Sequence, residues 1–112
     1  MCSVHNMTPT LVTDRDGRAV AAFGGQGGRM IPNGTFDALL HYVAGGRGLV
    51  EALEAPRLHT IGDKQLRLEA PTAEEKARVE AAGYAVAEGG GFARISAVEF
   101  DAATGRCLGA SR

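Results

Sequence analysis

Residues 19–28 read AVAAFGGQGG, five apolar residues running into four glycines within five positions. The apolar run does not alternate with polar residues, so as a strand it suits burial on both faces. A chain built around such a strand must find cover for two sides. The glycines add a second constraint, because each costs roughly 0.5–1 kcal/mol relative to alanine wherever its freedom is unused. This spot therefore needs either unusual dihedrals or bare backbone N–H groups.

The flanking sequence organises around that point. Thr10–Val12 and Ala19–Phe23 predict a hairpin with Asp16-Gly17 in its turn. After the glycines, Asn33 is placed to cap a helix in which Phe36, Leu39, Leu40 and Val43 recur at i, i+3, i+4 and i+7. AGGRG ends it, and a short helix over Leu49–Glu54 stops before Pro56. RLHTI and QLRLEA predict two short strands joined by Gly62-Asp63. PTAEEKARVEAAG carries the clearest helix signals: Thr72 and Glu75 as a capping box, Glu74 and Arg78 at i, i+4, and Gly83 at C′. ARISAVEFD and GRCLGA close the chain as a second hairpin around AATG.

The order ββ-α-α-ββ-α-β-ββ, two hairpins plus about three helices, is an α+β pattern in one domain spanning residues 1–112. Three helices, one of them very short, cover one face of the doubly apolar strands but not two. The domain is therefore expected to be incomplete, packing against another sheet from a second copy or from sequence outside it; bare strand edges would otherwise invite association.

Composition narrows the function classes. A net charge of −1 and a pI near 6.3 argue against nucleic acid or an anionic membrane as partner. Aromatics are only 5% of the chain, which leaves no base-stacking platform. MCSVHNMTPT has no basic stretch leading into an apolar one, so no signal peptide is read in this chain. Cys2 and Cys107 sit near opposite ends without metal-ligand spacing, and two free thiols are expected over a terminal disulfide. His5, His41 and His59 are scattered, and no metal or cofactor is expected.

The glycine cluster admits three roles. As a phosphate cradle it has the right strand-to-helix context, but it matches neither GxxxxGK[ST] nor GxGxxG. It can also be a tight turn with close packing, or a turn that aims consecutive N–H groups at a developing oxyanion.

Several motifs together resemble the C-terminal part of the small subunit of γ-glutamyltransferases (γ-glutamyltranspeptidases). HNMTPT at residues 5–10 is similar to that family's Ser-Ser-Met-Ser-Pro-Thr motif, and GGQGG to its Gly-Ser-Pro-Gly-Gly loop. EALEAPRLH at residues 51–59 matches a Glu-Ala-x-x-x-Pro-Arg-x-His segment, and AVEFDAATGRCLGAS resembles the closing hairpin. The resemblance implies a partial N-terminal-nucleophile hydrolase fold, an αββα sandwich. It also implies transfer or hydrolysis of γ-glutamyl groups from glutathione-type donors, through an acyl-enzyme on an N-terminal threonine. By the same resemblance the N–H groups of Gly27 and Gly28 form an oxyanion hole, while His5, Asn6 and Met7 contact the glutamyl group.

The departures are specific. His5-Asn6 replaces the serine pair, and Gly25-Gln26 replaces Ser-Pro in the loop. Thr8, Thr10 and Thr13 all follow the paired-serine position, so none stands where the nucleophile belongs, and the chain is expected to be inactive alone. The competing expectation is a non-catalytic remnant or split-subunit module that folds by docking to a partner or by homodimerisation. The sequence fixes no compartment; members of the family are often periplasmic or extracellular.

Overall fold

The computed structural model describes residues 5–112. Strands β1 (Thr10–Thr13), β2 (Ala19–Gln26), β6 (Arg94–Asp101) and β7 (Arg106–Ser111) form an antiparallel sheet in the order β1-β2-β6-β7. The β1–β2 turn closes on Asp14, whose Oδ1 accepts the N–H groups of Asp16 and Arg18, each at 2.9 Å. The β6–β7 turn repeats the device, with the Asp101 carboxylate accepting from the Ala103 N–H at 2.9 Å and the Thr104 hydroxyl at 2.8 Å. A smaller sheet holds β3 (Leu58–His59), β4 (Gln65–Leu68) and β5 (Ala85–Glu88). Its β4–β5 pair is parallel, as a helical crossover requires.

Three α-helices complete the described residues: α1 (Ile31–Leu39), α2 (Leu49–Glu54) and the crossover helix α3 (Ala73–Ala81). A 3₁₀ turn over Gly28–Met30 leads into α1, and a π turn over Leu40–Ala44 leaves it. The expected element order is the observed one. The α3 capping box is also present: the Thr72 N–H donates to Glu75 Oε2 at 2.8 Å, and the Glu75 N–H donates to Thr72 Oγ1 at 3.2 Å. Gly83 ends the helix with φ +88°, its N–H on the Glu80 carbonyl at 2.9 Å.

Two expectations around α1 are corrected. Asn33 does not cap the helix, because α1 grows directly out of the 3₁₀ turn with Met30 as its N-cap. Of the row Phe36, Leu39, Leu40 and Val43, only Leu39 packs against the core; the other three are 63%, 48% and 61% exposed. The buried residues are Ile31, Gly34, Thr35 and Ala38. The helix lies so close to β6 that a Cβ on Gly34 would stand 3.2 Å from Ile95 Cδ1, and only small residues fit such a contact. Periodicity located an apolar stripe, but side-chain volume decided which stripe faces in.

The core sits between α1, α2 and one face of the larger sheet, around Phe23, Ile31, Leu49, Leu53 and fully buried Ile95. Burying each of these side chains contributes about 1.5–3 kcal/mol. The opposite face carries Leu11, Ala22, Val98 and Gly109 in register, with Leu11 69% and Val98 42% exposed. The chain's own helices cover one side of this sheet and leave an apolar second side open.

Candidate active site around the glycine turn

Strand β2 does not end where the glycines begin. Gly24, Gly25 and Gln26 continue its pairing with β6, opposite Ser96, Ile95 and Arg94. Gly25 is required by space, since a Cβ there would stand 2.9 Å from Ile95 Cδ1 and 3.0 Å from Ile31 Cγ2. The turn is therefore narrower than the cluster suggested, comprising Gly27 and Gly28. Gly27 has φ +134° and Gly28 φ +63°, both in the region that side-chain-bearing residues avoid. Gly27 also abuts Ala93, whose Cα would be 2.8 Å from an added Cβ.

Both glycines are exposed. Among the described residues, neither the Gly27 nor the Gly28 N–H donates to a backbone carbonyl. The sequence thus places two adjacent exposed glycines, their N–H groups without a carbonyl partner, between a strand and a helical turn. Neighbouring Met30 lines a cleft of about 260 Å³ with His59, Thr60, Asp63 and Arg67.

His5, Asn6 and Met7 lie on the segment that enters β1. His5 is exposed, Asn6 half-buried and Met7 50% exposed. Among the described residues no hydrogen bond joins them to Gly27 or Gly28; the Met7 N–H reaches His5 Nδ1 at 3.4 Å. The segment is instead connected to α1 through Thr8, whose hydroxyl lies 3.4 Å from that of buried Thr35. His41 is partly exposed on the π turn. Cys107 is an exposed thiol, and Cys2 lies outside the described residues, as does any pairing between them. No cluster of three or more His, Cys, Asp or Glu suited to a metal occurs among the described residues.

Residue-by-residue reading missed the frame that holds this turn. Asn33 Nδ2 donates to the Thr60 carbonyl at 2.8 Å and to His59 Nδ1 at 2.9 Å, which leaves the imidazole proton on Nε2. Asp37 Oδ2 accepts the Leu58 N–H at 2.8 Å; burial pushes its carboxyl up, against the lowering effect of that bond and of His41 and Arg57. Arg57, only 6% exposed, donates to the carbonyls of Ala93, Leu53 and Arg112, the last two at 3.2 and 2.9 Å. Burial and neighbouring Arg112 lower its pKa, partly opposed by Glu69 and Asp37. The signal for Arg57 and His59 was the EALEAPRLH stretch. Nothing local pointed to Asn33 or Asp37, whose partners are more than 20 residues away.

The fold is shared with solved enzymes. The chain superposes on a Helicobacter pylori gamma-glutamyltranspeptidase T380A mutant with a TM-score of 0.84 at 20% identity, covering 97% of this chain and 60% of that one. For a Pseudomonas nitroreducens gamma-glutamyltranspeptidase complexed with L-DON the TM-score is 0.81 at 24% identity, covering 96% and 57%. A Bacillus halodurans cephalosporin acylase gives 0.82 at 24% identity, but there the chain spans 93% of itself and 20% of the acylase. No curated protein matches the sequence significantly.

A four-stranded antiparallel sheet, a smaller mixed sheet and three helices define a partial N-terminal-nucleophile hydrolase fold. Residues 3–111 match the family model described as Gamma-glutamyltranspeptidase. The chain belongs to that family, and it spans about 60% or less of the first two relatives' chains cited above.

Proposed function

We propose that these 112 residues are the C-terminal portion of an enzyme that transfers or hydrolyses γ-glutamyl groups from glutathione-type donors. The observation that carries this reading is the exposed Gly27-Gly28 turn, with two N–H groups free of carbonyl partners, in a chain of this family. In the proposed reaction a threonine hydroxyl attacks the γ-carbonyl carbon, forming a C–O bond and an oxyanion. Gly27 and Gly28 donate to that oxyanion; removing such a donor typically costs about 10²–10³ in rate. Collapse breaks the C–N bond, and the hydroxyl proton passes through the threonine's own α-amine to the leaving amine. Water or an acceptor amine then displaces the γ-glutamyl group.

His5, Asn6 and Met7 line the glutamyl side in this reading, with Asn6 supplying the polar contact that a serine pair would otherwise make. Since Thr8, Thr10 and Thr13 follow this motif, the nucleophile is a residue outside these 112, and the chain alone has no turnover. The test is chromophore release from a γ-glutamyl anilide by the chain, with and without a separately produced segment bearing an N-terminal threonine. Release only in the mixture is expected; release by the chain alone overturns this division of roles.

The open face bearing Leu11, Val98 and Phe100, and the outward row Phe36, Leu40 and Val43, support a second reading. In it the chain is a non-catalytic module that docks to the rest of an enzyme or to a second copy. Size-exclusion chromatography addresses the docking, because a stable, monodisperse monomer would count against any need for external cover.

A further inference from the structure

Thr8 has φ +34°, although it is β-branched and precedes Pro9. Each of those properties disfavours this backbone region: β-branched side chains crowd it, and proline pushes the preceding residue toward extended conformations. The other non-glycine residue with positive φ, Ala70, also precedes a proline, but its side chain has no polar group with which to hold anything. Something outside the local sequence must hold Thr8 in place.

Two contacts do so. The Thr8 hydroxyl lies 3.4 Å from the hydroxyl of Thr35, and the Thr10 hydroxyl donates to the Thr8 carbonyl at 3.0 Å. Thr35 is 2% exposed on the inner face of α1, so this partner cannot drift. Helix α1 continues without a break from the 3₁₀ turn that starts at Gly28. The pair Thr8–Thr35 therefore ties the His5–Met7 segment to the same rigid element that carries the glycine turn.

We propose that Thr8 is a positioning residue, which through Thr35 sets the His5–Met7 segment at a fixed place relative to the Gly27-Gly28 turn for γ-glutamyl recognition. This rests on the function proposed above, which assigns those two segments to one site. Strain at a residue without a ligand contact is then a means of pre-organising its neighbours.

The tether and its role are tested separately. In the full 112-residue chain, ¹⁵N heteronuclear NOEs of Asn6 and Met7 are expected to drop in Thr8→Val and in Thr35→Val, and to recover in Thr8→Ser. In Thr35→Val, where residue 8 is unchanged, the Thr8 Cα and Cβ shifts are expected to move to extended values. Unchanged NOEs and shifts in folded Thr35→Val would overturn the tether, whatever the chain's activity. In the mixture with the threonine-bearing segment, Thr8→Val is expected to raise KM for the γ-glutamyl anilide about three- to tenfold, the loss of one hydrogen bond, with kcat within about twofold. An unchanged KM, or a KM that Thr8→Ser fails to restore, overturns the positioning role. Should wild-type mixtures show no turnover, the functional reading fails, while the NOE and shift measurements still decide the tether.

Discussion

The Cα of Ala93 lies 2.8 Å from the point where a Cβ on Gly27 would stand, so the glycine turn and the loop before β6 meet backbone to backbone. The carbonyl of that same alanine is held by the buried guanidinium of Arg57. The turn is thus held through Ala93, while its two glycines stay exposed.

Gly27→Ala meets both a forbidden dihedral and a backbone clash, and is expected to destabilise the fold by about 1–3 kcal/mol. Gly24→Ala is the contrast, because no atom lies within 4 Å of its added methyl and its φ is not positive. It should be neutral or stabilise by about 0.4–1 kcal/mol. Urea denaturation of the two variants checks the pair; equal effects would contradict this account of the turn.

Arg57→Met leaves the carbonyl of Ala93 without its buried donor, while that of Leu53 keeps only Arg112. A loss of about 1–3 kcal/mol is expected, on the scale of one unsatisfied buried group. Arg57→Lys should recover only part of it, because one ammonium cannot span the fork of acceptors. Thermal unfolding of both variants gives the comparison.

The orientation of α1 predicts an inversion of the usual hydrophobic rule. Phe36→Glu, on an exposed site, should change the stability of the chain by no more than about 0.5 kcal/mol. Ala38→Glu places a charge in a 1% exposed position and is expected to prevent folding. Circular dichroism of the two variants distinguishes this arrangement from the one periodicity suggests.

Two carboxylates should titrate with opposite sign. Hydrogen bonds from Thr72 hold the Glu75 carboxyl below the ordinary value of 4.5. Its contribution is therefore present above the unfolded pKa and is lost as pH falls through the lower, folded pKa. Asp37 is raised above 3.8 chiefly by burial, so its contribution is present below the unfolded pKa and is lost as pH rises through the folded one. Melting temperature measured from pH 7 down to pH 3 should decline less steeply in Glu75→Gln than in the wild type. Asp37→Asn should lose the increment that wild-type Asp37 gains on acidification.

Much of the architecture was legible because its causes are local. The capping box at Thr72 and Glu75, the Asp-Gly turn at residues 16 and 17 and the break at Pro56 each act within a few residues, and the element order followed from them. The family was legible for another reason: several motifs in one order are specific where each alone is not. The same reasoning extended the glycine turn too far, because only the pairing with β6 shows that Gly24 and Gly25 belong to the strand.

The sequence by itself determined the elements, their order, the doubly apolar strand and the family to which its motifs belong. Tertiary structure alone decided that Phe36, Leu40 and Val43 turn outward while Leu39 packs inward, that Asn33 clamps His59 and Thr60 instead of capping a helix, and that Arg57 and Ala93 back the glycine turn. The physical reason is range. Propensity and capping are settled between near neighbours, whereas packing volume and the burial of polar groups depend on atoms that only folding brings together.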